Sequence, residues 1–167
     1  KIAVIDSRSA GSELVLLVKK ICELIESGAD FETVVEKAEL YSRHTHVVFA
    51  LSSFNNLVKN GRMSKIVGFV ANKLGFWGIG IGSEQGTIEI KQKIRGSKKA
   101  LDAIIEDMKE RGYNCGKVVI SHCRNAEFAE SVKSAIQSVW DKAEVKIVHA
   151  RGLCSYYAEK GGLIIGF

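Results

Sequence analysis

Three places in the chain carry residue types able to do chemistry. His44 and His46 flank Thr45 where an apolar run begins, and alternate residues of a strand share one face. A His-x-His pair can hold a metal ion. Zinc takes a third protein ligand, however, and the spacing marks none, so no metal or other cofactor is expected. His122 and Cys123 follow the strand expected over 117–121, at a strand end of the kind where α/β sheets bind ligands. Neighbouring strand side chains point to opposite faces, so this imidazole is not placed to activate this thiol. Arg62 follows Gly61 at a break between two helix-prone stretches, and its guanidinium fork can take a carboxylate or a phosphate.

The run Gly78-Ile79-Gly80-Ile81-Gly82 has the composition of a phosphate loop. It leads into a hairpin and supplies no helix N-terminus for an anion, so it reads as strand geometry. The sequence contains no Walker loop, HExxH or GxSxG motif. The residues alone therefore mark no catalytic motif. An α/β enzyme of unknown reaction using His122 and Cys123, and a basic interaction module, stay open at this point.

Composition narrows the partners. The 167 residues carry a net charge of +5, with 46% apolar and 26% charged residues. Lys and Arg are scattered, with only residues 91–99 locally dense, and they do not interleave with aromatics as on a nucleic-acid-binding face. No nucleic acid is expected. A membrane span needs roughly 18 uninterrupted apolar residues, and Lys19, Lys20 and Glu23 cut the longest candidate, so no stable membrane insertion is expected either. Lys1 runs straight into Ile-Ala-Val-Ile and Asp6, unlike a secretory signal. Cys22, Cys115, Cys123 and Cys154 form no CxxC pair and sit among apolar neighbours. They read as buried free thiols of a reducing, cytoplasmic setting. Proline is absent, so turns fall to the sixteen glycines and to Asn, Asp and Ser.

An α/β framework must position these residues. Residues 2–5 read as a strand buried on both faces. Ser9 can cap the next helix, whose stripe is Leu14, Leu17, Val18, Ile21, Leu24 and Ile25, with Gly28 ending it. Asp30 caps a second helix with Phe31, Val34, Val35 and Ala38 inward. A buried strand over 46–51, a helix-prone stretch over 52–59 and a short helix over 64–73 follow. In the clearest hairpin, Ile79 and Ile81 precede a turn at 84–86. Ile88, Ile90 and Ile94 then alternate with Glu89, Lys91 and Lys93, which face water. Beyond it, strand and helix alternate. Helix 98–111 turns Ala100, Leu101, Ile104, Ile105 and Met108 inward. Asn125 caps a helix with Phe128, Val132, Ala135, Ile136 and Val139 inward, and strands follow at 144–149 and 161–167. The fold class is α/β, a mixed sheet with an antiparallel hairpin. Residues 2–5 have no obvious sheet partner downstream, and the sequence is expected to be part of a longer chain.

Several stretches, in order, resemble motifs of the bacterial DegV family. They are Val4-Ile5-Asp6-Ser7 before a long helix, Arg43-x-Thr45-His46-Val47-Val48-Phe49, and Leu57 followed by Asn60-Gly61-Arg62-Met63-Ser64, which is similar to the family's GGRIS run. Lys93-Ile94-Arg95-Gly96-Ser97-Lys98-Lys99-Ala100 resembles its VRGxKKA helix start, Val118 to His122 its strand ending in His, and Gly161 to Phe167 its closing strand. The resemblance implies a two-lobed fold. Residues 1–43 would end the N-terminal lobe with its last strand–helix unit, and residues 44–167 would form the C-terminal lobe. It implies a carrier and not a catalyst. The carrier binds a long-chain fatty acid between the lobes, with the tail in an apolar tunnel, and presents the carboxylate to a separate fatty acid kinase that makes an acyl phosphate. Tyr156-Tyr157-Ala158-Glu159-Lys160-Gly161 stands where the family has HTGPG. Tyr157 takes the histidine position, and its phenol can donate to a carboxylate. Glu159 beside it is expected to repel an anion. By this resemblance the head-group candidates are Arg62 and Tyr157, then Ser155, Tyr156 and His122.

Overall fold

The computed structural model describes residues 1–63, 75–83 and 85–167. The helix expected over 64–73 and the turn residue Glu84 lie outside them. The strands are β1 Val47–Leu51, β2 Phe76–Gly82, β3 Ile88–Arg95, β4 Lys117–His122, β5 Glu144–His149 and β6 Leu163–Gly166. The helices among the described residues are α1 Ser12–Glu26, α2 Phe31–Ser42, α3 Asn55–Lys59, α4 Ser97–Glu110, α5 Ala126–Val139 and α6 Gly152–Ala158. The strands form one mixed sheet in the order β3-β2-β1-β6-β4-β5. β1, β2 and β3 pair antiparallel, β6 is antiparallel to both β1 and β4, and β4 and β5 run parallel.

Strand alternation sorts the core into two layers. Val48, Ala50, Ile79, Ile120 and Ile165 face α4 and α5, meeting Ile104, Met108, Val132 and Ile136. Phe49, Leu51 and Ile164 face the other way, toward Phe54 and Leu57 of the α3 region and Ala158 and Tyr157 of α6. Each large side chain taken fully out of water contributes about 1.5–3 kcal/mol, so both layers matter for stability. α1 crosses this second face: Ser12 Oγ donates to the Ile164 carbonyl at 2.7 Å and lies 2.7 Å from Ser121 Oγ.

The hairpin departs from the simple alternation expected of it. Gly80 pairs with Ile90 but Ile79 pairs with Gln92, so Lys91 is an extra residue in β3. A bulge of one residue exchanges the faces of a strand beyond it. Ile90 accordingly packs on the Phe49 layer while Ile94 packs on the α4–α5 layer. Lys91 turns to the carboxylate of the buried Asp107 on α4, 3.3 Å away, which Arg111 also binds at 3.0 Å.

Other expectations are corrected. Residues 2–5 form no strand: Ile2 and Val4 are exposed, because this backbone finds no neighbouring strand among the described residues. The N-cap of α1 is Gly11, at φ +68°, and not Ser9, whose hydroxyl donates to Glu13 at 2.6 Å. α1 buries Leu16, Leu17 and Leu24 while Leu14, Val18 and Ile25 stay exposed. In α2 only Ala38 is buried, although Asp30 caps it as expected by accepting the Thr33 N–H at 2.9 Å. Val139 of α5 is exposed, and Ala129 takes a place in the core. Asn125 stands at the N-cap of α5, but its side chain donates to the Gly161 carbonyl at 2.8 Å. Cys22 and Cys115 are exposed and not buried, and all four cysteines are free thiols.

Candidate functional site

The second face of the sheet holds a cavity of about 610 Å³. Its floor follows from the glycine alternation of β2. A Cβ on Gly80 would come within 2.4 Å of the Phe49 ring, and one on Gly78 within 2.1 Å of the Phe54 ring. The two glycines therefore let both rings lie against the strand, while Ile79 fills the opposite layer. Phe49, Leu51 and Ile164 line the floor, Leu57 comes from α3, and Ile88 from β3. α6 presents Leu153, Cys154, Tyr157 and Ala158, at helical spacing. Residues 5–10 close the remaining side, and Arg62 stands at the border, exposed to solvent.

A polar cavity of about 720 Å³ adjoins it, sharing Asp6, Ser7, Arg8, Val47 and Gly82. Its charges balance: Arg8, Arg43 and Arg111 stand against Asp6, Glu13 and Glu39. Glu13 is buried and accepts hydrogen bonds from Ser9 at 2.6 Å and Thr45 at 3.0 Å. Ligand pockets are mostly apolar with a few placed polar groups, and the smaller cavity has that character.

The candidate residues divide between the cavity and its surroundings. Arg62 and Tyr157 both border the apolar cavity. The Arg62 N–H donates to the Leu57 carbonyl at 2.8 Å, which ties the arginine to α3. Ser155 and Tyr156 are absent from its wall: Ser155 donates to the Gly152 carbonyl at 2.8 Å, and the Tyr156 hydroxyl accepts from Asn60 at 3.0 Å. Glu159, expected to repel an anion, is already engaged: its carboxylate accepts the Asn56 N–H at 2.8 Å and the Ser53 hydroxyl at 2.6 Å. Residues 6–10 and Leu153–Cys154 were not expected at the site. The spacing of Cys154, Tyr157 and Ala158 on one helix was the signal available for the α6 wall.

His122 lies apart from the cavity. It is buried, its ring centroid is 4.5 Å from that of His149, and its Nδ1 accepts the Asn125 N–H at 3.1 Å. Cys123 packs instead on the Phe49 layer and reaches toward the Ser155 carbonyl, so the two neighbours point to different surroundings. His46 packs on Phe167 at 5.8 Å. Burial, and then the nearby His149, lower the His122 pKa below its ordinary 6.5. A histidine with a lowered folded pKa binds fewer protons folded than unfolded. Stability is then complete above about pH 6.5 and declines as pH falls through the window toward the lowered value. His46, lowered by burial and by Arg111, acts in the same direction. Urea midpoints at pH 7.5, 6.5 and 5.5 are expected to fall in that order. His122→Asn, which keeps an acceptor for Asn125, is expected to flatten the fall; an unchanged slope would assign it to other groups.

Comparison with known proteins gives one consistent result. The family model described as "Uncharacterised protein, DegV family" matches residues 1–167. A DegV domain-containing protein of Streptococcus pneumoniae is 43% identical over the whole chain, which spans 59% of that relative's length. The crystal structure of the Streptococcus pneumoniae Fatty Acid Kinase (Fak) B3 protein loaded with linoleic acid is 43% identical, with a TM-score of 0.96 over 100% of this chain and 59% of that one. A DegV family protein from Eubacterium eligens loaded with heptadecanoic acid is 37% identical, with a TM-score of 0.96 over 99% of this chain and 60% of that one.

Proposed function

The chain belongs to the DegV family, and from that premise we propose that it supplies the acyl-binding floor of a bacterial fatty-acid carrier. The observation that carries the reading is the apolar cavity on the second face, with Arg62 and Tyr157 at its border. Relatives of the same fold hold linoleic and heptadecanoic acids. In this reading residues 1–43 end one lobe, residues 44–167 form the other, and the ligand lies between them. Arg62 and Tyr157 serve its carboxylate, while Ser155, Tyr156 and His122 do not line the cavity. The carrier performs no chemistry itself. It offers the carboxylate to a separate fatty acid kinase, which forms the acyl phosphate in the cytoplasm. No helix among the described residues is long and apolar enough to cross a membrane.

Native mass spectrometry of the intact protein from bacterial expression is expected to show a bound acyl species. Protein that emerges from gentle purification with no lipid would remove the reading. Acyl length gives a quantitative check. Each buried methylene contributes about 0.8 kcal/mol, so shortening the ligand by two carbons is expected to raise Kd about 15-fold while the removed carbons lie inside the cavity. A Kd insensitive to chain length would mean that the tail does not occupy it.

A further inference from the structure

The turn after α6 is left-handed at a residue that is not glycine. Glu159 has φ +53° and closes α6. A side chain there costs backbone strain that glycine avoids, and such strain persists where the surroundings impose it. The Glu159 carboxylate crosses to the link between β1 and α3, accepting the Asn56 N–H at 2.8 Å and the Ser53 hydroxyl at 2.6 Å. α3 begins after Phe54, whose side chain has no acceptor to offer, so a residue a hundred positions away satisfies an N–H that the helix leaves open. The seam continues along α6: Asn56 Nδ2 donates to the Tyr156 carbonyl at 2.8 Å and Asn60 Nδ2 to its hydroxyl at 3.0 Å. The two elements it joins are adjoining walls of the apolar cavity. α3 carries Leu57 and, through the Leu57 carbonyl, Arg62; α6 carries Leu153, Cys154 and Tyr157.

We propose that Glu159 is a positioning residue of the ligand site, fastening α3 to α6 so that the cavity wall stays closed around a bound acyl chain. The proposal rests on the carrier reading above. Glu159 touches no ligand; it acts through Asn56 and Ser53 on the placement of Leu57 and Arg62.

Two variants separate this role from a merely structural one. Glu159→Gly removes the fastening and also relieves the left-handed strain, so the melting temperature is expected to hold or rise. Amides 56–62 are nevertheless expected to exchange hydrogen about tenfold faster, and a fluorescent conjugated-polyene fatty acid to dissociate about tenfold faster, the loss typical of a hydrogen bond to a charged group. Glu159→Gln can still accept from Asn56 and bond Ser53, and is expected to stay within about threefold of the parent on both measures. A merely structural residue would lower the melting temperature on substitution and leave dissociation alone. Unchanged exchange in Glu159→Gly overturns the fastening, and faster exchange with unchanged dissociation overturns its role in ligand retention. A parent protein that fails to hold the probe sinks the carrier reading, and the exchange measurement still decides whether Glu159 fastens the two walls.

Discussion

Gly166→Ala is expected to destabilise the protein by about 3 kcal/mol, lowering the melting temperature by roughly 6–12 °C. Gly166 is the last residue of β6, directly under the first turn of α1. A Cβ there would lie 2.4 Å from the Glu13 nitrogen, 2.6 Å from the Ser12 carbonyl carbon and 2.7 Å from the Glu13 Cα. All three are backbone atoms, so no side-chain rotation relieves the clash and α1 itself must lift. Lifting it strains the Ser12 bond to Ile164 and the contacts of Glu13 with Ser9 and Thr45, and opens the packing of Leu16 and Leu17. Residues 5–10, which lead into α1 and form one side of the apolar cavity, would move with it. Ligand affinity is thus expected to fall together with stability. Thermal unfolding of parent and variant decides the matter, and a melting temperature within a degree of the parent would show that α1 sits more loosely on β6 than described.

Arg62→Ala has the opposite profile. The side chain is exposed at the cavity border, so its loss is expected to leave stability within about 0.5 kcal/mol. It also borders the neighbouring surface groove with Met63, Ile88 and Ile90, which leaves it open to a docked partner. Under the carrier reading the variant retains its acyl ligand, while kcat/KM for acyl phosphorylation by the partner kinase falls about 100-fold, the usual cost of removing one placed donor from a developing charge. Arg62→Lys keeps the charge but loses the planar fork, and an intermediate rate is expected. Bound lipid and phosphorylation rate compared at equal folded concentration provide the check. If neither changes on truncation to alanine, Arg62 is an ordinary surface residue and the placement of the head group at this border fails.

Much of the framework was legible because local chemistry and tertiary packing agree. Asp30 caps a helix, Ile104 and Met108 keep their helical register into the core, and the glycine alternation of β2 marks a strand. The failures have separate physical causes. α1 carries apolar residues around more than one face, so periodicity alone does not choose between Leu16 and Val18 for burial. The bulge at Lys91 inserts one residue without any local signal, and it sends Ile90 and Ile94 to different layers. Of the site, Arg62 was marked by its place at a chain break and by motif resemblance, Tyr157 by motif resemblance alone, and both border one cavity. The role of Glu159 was out of reach, because its partners Ser53 and Asn56 are distant in sequence and a carboxylate beside an expected anion reads first as repulsion.

The position of β6 bears on how the chain reaches this structure. The antiparallel run β3-β2-β1 and the parallel pair β4-β5 meet in the sheet through β6, a strand of four residues. Its register joins Leu163 to Ala50 on one side and to His122 on the other. Contacts so far apart in sequence carry a large loop-closure entropy before any of them is rewarded, which slows folding. The hairpin β2–β3 and the β4–α5–β5 unit can each form from local contacts, whereas joining them waits for β6 to enter between β1 and β4. Substitutions in β6 are therefore placed to act on the folding rate. A chain in which β6 fails to enter would expose the inner edges of β1 and β4 together, two unpaired strands available to other molecules.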